Sequence, residues 1–354
     1  MADAGEHGIE RCMVPYENRQ EAMIIKRVKI IAVKNLQDVI TYLNGDTGDG
    51  PDKIACADSI ETKMIQQNDC EADTKDNMPD FSQINGMRFV RRASEIAAAC
   101  MHNFLMIGPP GAGKTMAARR IPTILPPMCE EEQLEIAKIY SVSGMLLQGK
   151  RLLRERPFRS PHHTITPQGL AGGGAVPKPG EISLAHKGVL FLDELAEFQK
   201  TTLELLRQPM EEKEIHLSRL QGSYTYPADF MLVAAMNPCP CGAYPDMNRC
   251  RCSQSAIDRY LGRISQPLLD RIDICVETGQ LTYEELTAKT ENESSFQIRQ
   301  RVCQAWQLHV KQTSYPILIF LLTYRVMIME NLCLRLWICL KTNLILSTVI
   351  MLRA

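Results

Sequence analysis

Aromatic residues are scarce in this chain. Phe, Trp and Tyr together make 6% of its 354 residues, and only two are Trp. A broad base-stacking surface needs an aromatic platform for successive bases, so that class of protein is excluded. Net charge is lacking too. Forty Lys and Arg oppose 41 Asp and Glu, for a formal charge of −1. This excludes a histone-like basic protein and an acidic tail protein, while leaving room for a local basic patch. No secretory leader is expected. Met1–Glu10 carries three acids, unlike the basic and then apolar plan of a secretory signal. A membrane-spanning helix needs about 18 uncharged apolar residues. The longest uncharged stretch of the C-terminal tail, 312–324, has 13 and begins with polar ones. No membrane partner is expected. The length allows two or three domains at roughly 100–200 residues each.

Cysteine is present in a number that disulfides cannot exhaust. There are 13, spread through a chain far larger than a secreted disulfide scaffold, so a reducing cytoplasm is the natural setting. Nine are scattered and read as small buried hydrophobes. Four cluster: Cys239, Cys241, Cys250 and Cys252 fall within 14 residues. Four thiols so close can satisfy tetrahedral Zn2+, although C-x-C departs from the usual C-x₂₋₄-C spacing. A reduced thiol loop without metal is the alternative.

Along the chain, residues 14–44 read as a small α/β piece. Ile24–Val33 is rich in Ile and Val, and Asn35 is placed to cap a helix running to Leu43. Residues 46–80 hold ten acids against three bases and read as a solvated linker, 46–79. From Asp80 the pattern changes. Arg88–Cys100 has helical spacing, and Phe104–Ile107 is a short buried strand. Apolar strands then alternate with helical stretches as far as Glu277, which predicts a parallel sheet flanked by helices. Residues 278–310 read as polar amphipathic helix. Residues 315–354 contain no Gly, one acid and dense Leu, Ile and Met, and fit no ordinary element.

Gly108-Pro109-Pro110-Gly111-Ala112-Gly113-Lys114-Thr115 matches G-x-x-x-x-G-K-[ST]. It follows an apolar strand and opens a helix, as the chemistry requires. Glycines let backbone N–H groups turn inward around phosphate oxygens, and a helix N-terminus adds partial positive charge. Lys114 then meets the β- and γ-phosphates of ATP, and Thr115 meets Mg2+. Gly188–Leu192 ends in Asp193 and Glu194. Two carboxylates at a strand's C-terminal end suit Mg2+ binding by Asp193 and polarisation of water by Glu194. Alone, this is also the pattern of an acidic cap after a core strand. Phe230–Ala235 leads to Asn237, an amide able to orient that water, or the start of an Asn-Pro turn.

Together, GPPGAGKT, GVLFLDE and VAAMNP resemble the nucleotide site of AAA+ ATPases. RPFRSPHHT at 156–164, GEISLAHKG at 180–188, LLRQPMEE at 205–212, NPCPCG at 237–242 and RISQPLLDRIDI at 263–274 are similar to the magnesium-chelatase-like competence proteins of the YifB/ComM family. The resemblance is nearly continuous over 80–278. It implies an α/β fold of AAA+ P-loop NTPase type, ATP hydrolysis with Mg2+, and a ring oligomer, by the family pattern a hexamer. It also implies action on DNA as a helicase or branch-migration motor in natural transformation. A chelatase-like ATPase that remodels a protein partner is the second reading, and a nucleotide-binding remnant the third. PYENRQEA and VKNLQDVITYLNG resemble the close of a Lon-protease-like N-terminal domain, of which 1–45 would be a remnant.

The resemblance gives Arg271 the place of an arginine finger acting on a neighbour's nucleotide. An ordinary ion pair with Asp270 or Asp273 is the alternative. Two insertions mark the family, Pro157–Lys187 and a hairpin of Glu214–Arg219 and Ser223–Pro227 turned at Gln221-Gly222. In relatives such loops touch DNA. Arg159, His162, His163, Lys178 and Arg219 would do so here, or be solvated loop charges. Within 279–314, the start of a C-terminal helical region, the family pattern implies a helix like 294–310, followed by a helical lid that 315–354 does not resemble. The expectation is therefore a chain truncated at its N-terminus and shifted in frame after Ser314.

Overall fold

The computed structural model describes residues 8–22, 28–44, 79–145, 155–174, 177–219, 222–279 and 292–311. The linker 46–78, the tail 315–354 and the hairpin tip 220–221 lie outside the described residues, as does the Arg219 side chain. The chain divides into two compact units.

The smaller unit pairs β1 (Arg11–Pro15) with β2 (Lys29–Val33) in parallel. Val14, Ala22, Val28 and Ile30 form its small core. Asn35 caps the helix Leu36–Leu43 as expected, in a reciprocal capping box with Asp38.

The larger unit is built on a five-stranded parallel sheet. Its strands are β3 (Phe104–Ile107), β4 (Phe158–Arg159), β7 (Val189–Leu192), β10 (Met231–Met236) and β11 (Ile274–Glu277), in the order β11-β3-β10-β7-β4. The central strands are apolar at every position because both faces are covered. Phe104, Met106, Phe191 and Val233 point into one core with the helix Arg88–Cys100. Leu105, Ile107, Leu190, Leu192 and Leu232 point into the other. Two small antiparallel pairs stand outside the sheet. They are β5 (Gly172–Gly173) with β6 (Lys178–Pro179), and β8 (Glu214–Arg219) with β9 (Gly222–Pro227).

Two expectations need correction. Gly222 is not in the hairpin turn: it begins β9 opposite Arg219, so a two-residue connection joins the strands. The helix expected over 278–310 does not begin at 278: Thr278 and Gly279 are not helical, residues 280–291 lie outside the described residues, and a helix runs over Ser295–Lys311. Glu277 is still in β11, and the Thr278 N–H donates to the Ile107 carbonyl at 2.7 Å, which extends the sheet edge. The helix Ser295–Lys311 buries Ile298 and Val302 in the first core. Arg301 on it reaches Glu95 at 2.6 Å and Glu293 at 2.9 Å.

The two strands at that edge are also tied at their N-terminal ends. Asp273 accepts from the Asn103 N–H at 2.8 Å and lies 3.5 Å from His102 Nδ1. Burial opposes the charged imidazole, but Asp273 and Cys100 outweigh it and raise His102 from 6.5 to about 9. A pKa raised on folding contributes stability that is complete below the unfolded value and lost as pH rises through the folded one. The urea midpoint should therefore fall between pH 6.5 and about 9, and His102→Ala should remove that part of the slope. A slope unchanged in the variant would disprove the assignment.

Candidate functional site

The sheet brings three separate segments to one edge. β10 lies between β3 and β7, all parallel, so the residues following each strand emerge side by side. Those residues are the loop Gly108–Gly113, the pair Asp193 and Glu194, and Asn237. The loop turns at Gly111 and Gly113, with φ of +78° and +77°, a region that favours glycine. Gly108 also lacks room for a side chain, since a Cβ there would stand 1.8 Å from Thr278 Oγ1. Ala112 is buried. The helix Lys114–Ala118 begins directly after Gly113.

Lys114 and Thr115 meet the other two segments. Lys114 Nζ donates to the carbonyls of Gly108 at 2.6 Å and Pro109 at 2.8 Å, and to Asn237 Oδ1 at 3.3 Å. Burial pushes this ammonium below its ordinary pKa, and Asp193 offsets part of the shift. Thr115 Oγ1 donates to Asp193 Oδ2 at 2.7 Å. A hydroxyl and a carboxylate at that separation are hard oxygen donors of the kind Mg2+ takes. Lys114, Thr115, Asp193 and Asn237 therefore form one connected cluster.

Glu194 stands beside this cluster in a left-handed conformation, φ 53° and ψ 47°. Such an outlier in a non-Gly residue costs free energy and gathers at functional positions. Its side chain is exposed, and Oε2 lies 3.2 Å from His163 Nδ1. His163 packs in a tilted arrangement on His162, with centroids 4.1 Å apart, and meets Phe198 edge-on. His163 thus faces a carboxylate of the site, a contact that sequence reasoning missed. The only available signal was its position just after an edge strand of a parallel sheet.

Other expected contacts fall elsewhere. Arg159 is not a free loop charge but forms a two-pronged pair with Glu181, at 2.6 and 2.7 Å. Its neighbour Arg156 is buried and donates to the carbonyls of Pro126 and Lys187, both at 2.7 Å. Lys178 is exposed on β6. The two insertions touch, since Tyr226 Oη donates to the Pro177 carbonyl at 2.9 Å. Arg271 pairs with neither Asp270 nor Asp273. Its guanidinium meets Glu211 and the Pro267 carbonyl. Its own carbonyl accepts from Asn103 Nδ2 at 2.9 Å, at the N-terminal end of β3. The four residues of β3, roughly 13 Å of strand, separate that end from the phosphate loop.

The four clustered cysteines do converge. Their sulfurs all lie within 4.8 Å of one another, and among the described residues they form the one cluster of this kind with a geometry able to hold a metal ion. Cys239 is 3.3 Å from Cys241 and 3.8 Å from Cys250, and Cys241 is 3.6 Å from Cys250. Four sulfurs each about 2.3 Å from a tetrahedral zinc would be roughly 3.8 Å apart, so the donor set fits. The Ala243 N–H and the Cys239 and Cys252 thiols lower Cys241 to about 6. For Cys250 the Cys252 N–H acts in the same direction, but burial and the Cys241 and Cys239 sulfurs prevail and raise it to about 12.

Comparison with known proteins agrees with this architecture. Residues 80–286 match the family described as magnesium chelatase, subunit ChlI. The protein YifB of Escherichia coli is 44% identical over 290 residues, which is 80% of this chain and 56% of YifB. Competence protein ComM of Haemophilus influenzae is 38% identical over 310 residues, 87% of this chain and 58% of ComM. The magnesium-chelatase 67 kDa subunit of Chlorobaculum parvum is 26% identical over 162 residues, 45% of this chain and 23% of that subunit. The chain therefore spans less than three fifths of the length of YifB or ComM.

Proposed function

The chain belongs to the magnesium-chelatase ChlI family of AAA+ proteins, and on that footing we propose that it binds ATP with Mg2+ and hydrolyses it. One observation carries this reading: Lys114, Thr115, Asp193 and Asn237 are hydrogen-bonded to one another or to the phosphate loop at a single sheet edge. The loop Gly108-Pro109-Pro110-Gly111-Ala112-Gly113 surrounds the phosphates, and Lys114 exchanges its carbonyl partners for phosphate oxygens. Thr115 and Asp193 would hold Mg2+, whose charge would offset that of those oxygens. Glu194 polarises the attacking water, and Asn237 orients it. Positioning and electrostatics of this kind account for most of phosphoryl-transfer catalysis. Zn2+ at Cys239, Cys241, Cys250 and Cys252 completes the cofactor set, and reduced thiols there suit a cytoplasmic setting.

The oligomer in this proposal is a ring, a hexamer by family pattern, in which Arg271 serves the neighbour's nucleotide. The support is its attachment to Asn103, a strand's length from its own phosphate loop. The polymer acted on is DNA, as in a helicase or branch-migration motor. The name of the ComM relative, a competence protein, supports that choice. The similarity to a magnesium-chelatase subunit supports the second reading, remodelling of a protein partner. DNA-stimulated turnover separates them. Of the basic insertion residues, Lys178 and Arg219 remain candidates for phosphate contact, whereas Arg159 is committed to Glu181. The smaller unit, within residues 1–45, is assigned to the end of a Lon-protease-like domain. Among the described residues no helix is long and apolar enough to cross a membrane.

Lys114→Ala should abolish tight ATP binding, because it removes the buried cation that meets the phosphates. Glu194→Gln should bind ATP normally and lose about 10²–10⁴ in turnover, as removal of a general base does. Equal loss of nucleotide binding in the two variants would refute these roles. Equilibrium titration with a fluorescent ATP analogue reads the first, and phosphate release reads the second.

Arg271→Ala should also bind ATP, and should lose about a thousandfold or more in turnover. Mixing Arg271→Ala chains with Glu194→Gln chains should restore part of the activity. Where an Arg271→Ala chain holds the nucleotide beside a Glu194→Gln neighbour, an intact Glu194 meets an intact Arg271, while the opposite arrangement stays inactive. No rescue, in a mixture shown to co-assemble, would mean that Arg271 does not act between subunits.

A further inference from the structure

The segment between β10 and the helix Gln254–Leu261 contains no helix or strand. Its backbone is held by isolated turns, such as Gly242 N–H to the Cys239 carbonyl at 3.0 Å and Cys250 N–H to the Asp246 carbonyl at 2.7 Å. Its apolar support is slight. Cys239, Cys250 and Ile257 are the buried members of its cluster. A loop with so little core is the kind that a metal or a covalent link holds in shape.

This loop also touches the candidate nucleotide site twice. At its start, Asn237 accepts from Lys114, and Cys239 follows two residues later. Three residues further on, Gly242 lies flat against the phosphate loop. A Cβ there would stand 2.6 Å from Pro110 Cδ, and φ is +77°, so the backbone itself forms the contact. A cavity of about 340 Å³ continues this contact, with Pro109, Tyr244 and Thr278 in its wall. Cys241 lies between Cys239 and Gly242, while Cys250 and Cys252 belong to the far arm of the loop. Joining the two arms through one ion would fix Gly242 against Pro110 and Asn237 beside Lys114.

We propose that the four-cysteine loop is a Zn2+-bound buttress of the phosphate loop, so that zinc occupancy sets the affinity for nucleotide. The inference rests on the ATP reading for its second half and on the convergence of the four sulfurs for its first. Zinc enters as the thiols give up their protons, and the ion carries the compensating charge. Unlinking the arms frees Pro110 to move and lets the Asn237 amide leave Lys114.

The test uses the full chain, purified without added chelator. Elemental analysis should find about one zinc per chain. Removing it with 1,10-phenanthroline, which spares Mg2+, should weaken binding of a fluorescent ATP analogue by about tenfold, or about 1.4 kcal/mol. Adding Zn2+ back should restore it. Cys252→Ser should release the metal and reproduce the loss. Gly242→Ala keeps all four thiols and should keep the zinc, yet bind nucleotide more weakly, because its methyl presses on Pro110. Metal-free protein with four titratable thiols in this loop would remove the zinc. Zinc-loaded protein whose affinity changes with neither chelation nor Gly242→Ala would overturn the buttress. A loaded wild-type chain that binds no nucleotide would sink the ATP reading and the buttress together, while elemental analysis still reports on the metal.

Discussion

The register of β10 between its two neighbours is the constraint on which the site depends. Met236 stands opposite Ile107, and Ala234 opposite Leu192. Gly108 therefore follows β3 level with Asn237 after β10, and its N–H donates to the Met236 carbonyl at 3.1 Å. A slip of one residue would move a strand end by about 3.3 Å and turn every side chain to the other face. The Thr115–Asp193 and Lys114–Asn237 contacts would both fail. What resists the slip is burial on both faces, with Phe104, Phe191 and Val233 on one and Leu105, Leu190 and Leu232 on the other. Each such side chain contributes on the order of 1.5–3 kcal/mol when fully buried. The polar contacts of the site follow from that apolar register.

The cations of the larger unit divide by what they touch. Arg156 is buried and fully occupied by two carbonyls and Glu132. Arg159 is half-buried on Glu181. Breaking a buried pair costs about 3–5 kcal/mol, against about 0–1 for an exposed one. Both arginines therefore read as pins that hold β4 and the first insertion to the sheet. Lys114 differs. It too is buried, but its nearest partners are neutral carbonyls and an amide, so its charge is left without an equal and opposite partner in contact. A buried cation in that condition favours an anion such as phosphate.

Much of this was legible in the sequence, because the strands are continuous apolar runs and their tips carry residues with distinct chemistry. Phe104–Ile107, the 189–192 run and the 231–236 run needed no tertiary information. Asn35 and its helix were equally local. The errors share a different cause. The pairing of Arg159 with Glu181, of His163 with Glu194 and of Arg271 with Glu211 joins residues 22 to 60 positions apart. No periodicity encodes such contacts. That residue 278 is not helical was hidden for the same reason: Glu277 and Thr278 are held extended by β3, a partner 170 residues away. The cysteine cluster was visible as spacing, but its approach to Pro110 through Gly242 was not.

The end of the sheet away from the phosphate loop carries a lock of its own. Asn103 Oδ1 accepts from the Leu232 N–H at 3.0 Å, and its Nδ2 donates to the Arg271 carbonyl. Its backbone carbonyl receives the N–H groups of Asp273 and Ile274. One side chain thus ties β3, β10 and the lead into β11 at their N-terminal ends, where three strands would otherwise leave unpaired backbone groups. It also fixes the turn that carries Arg271. The same rigidity that keeps Arg271 from its own Lys114 gives it a defined place on the edge of the unit. In the proposed ring, that fixed base would let Arg271 reach a neighbour's nucleotide with its geometry already set.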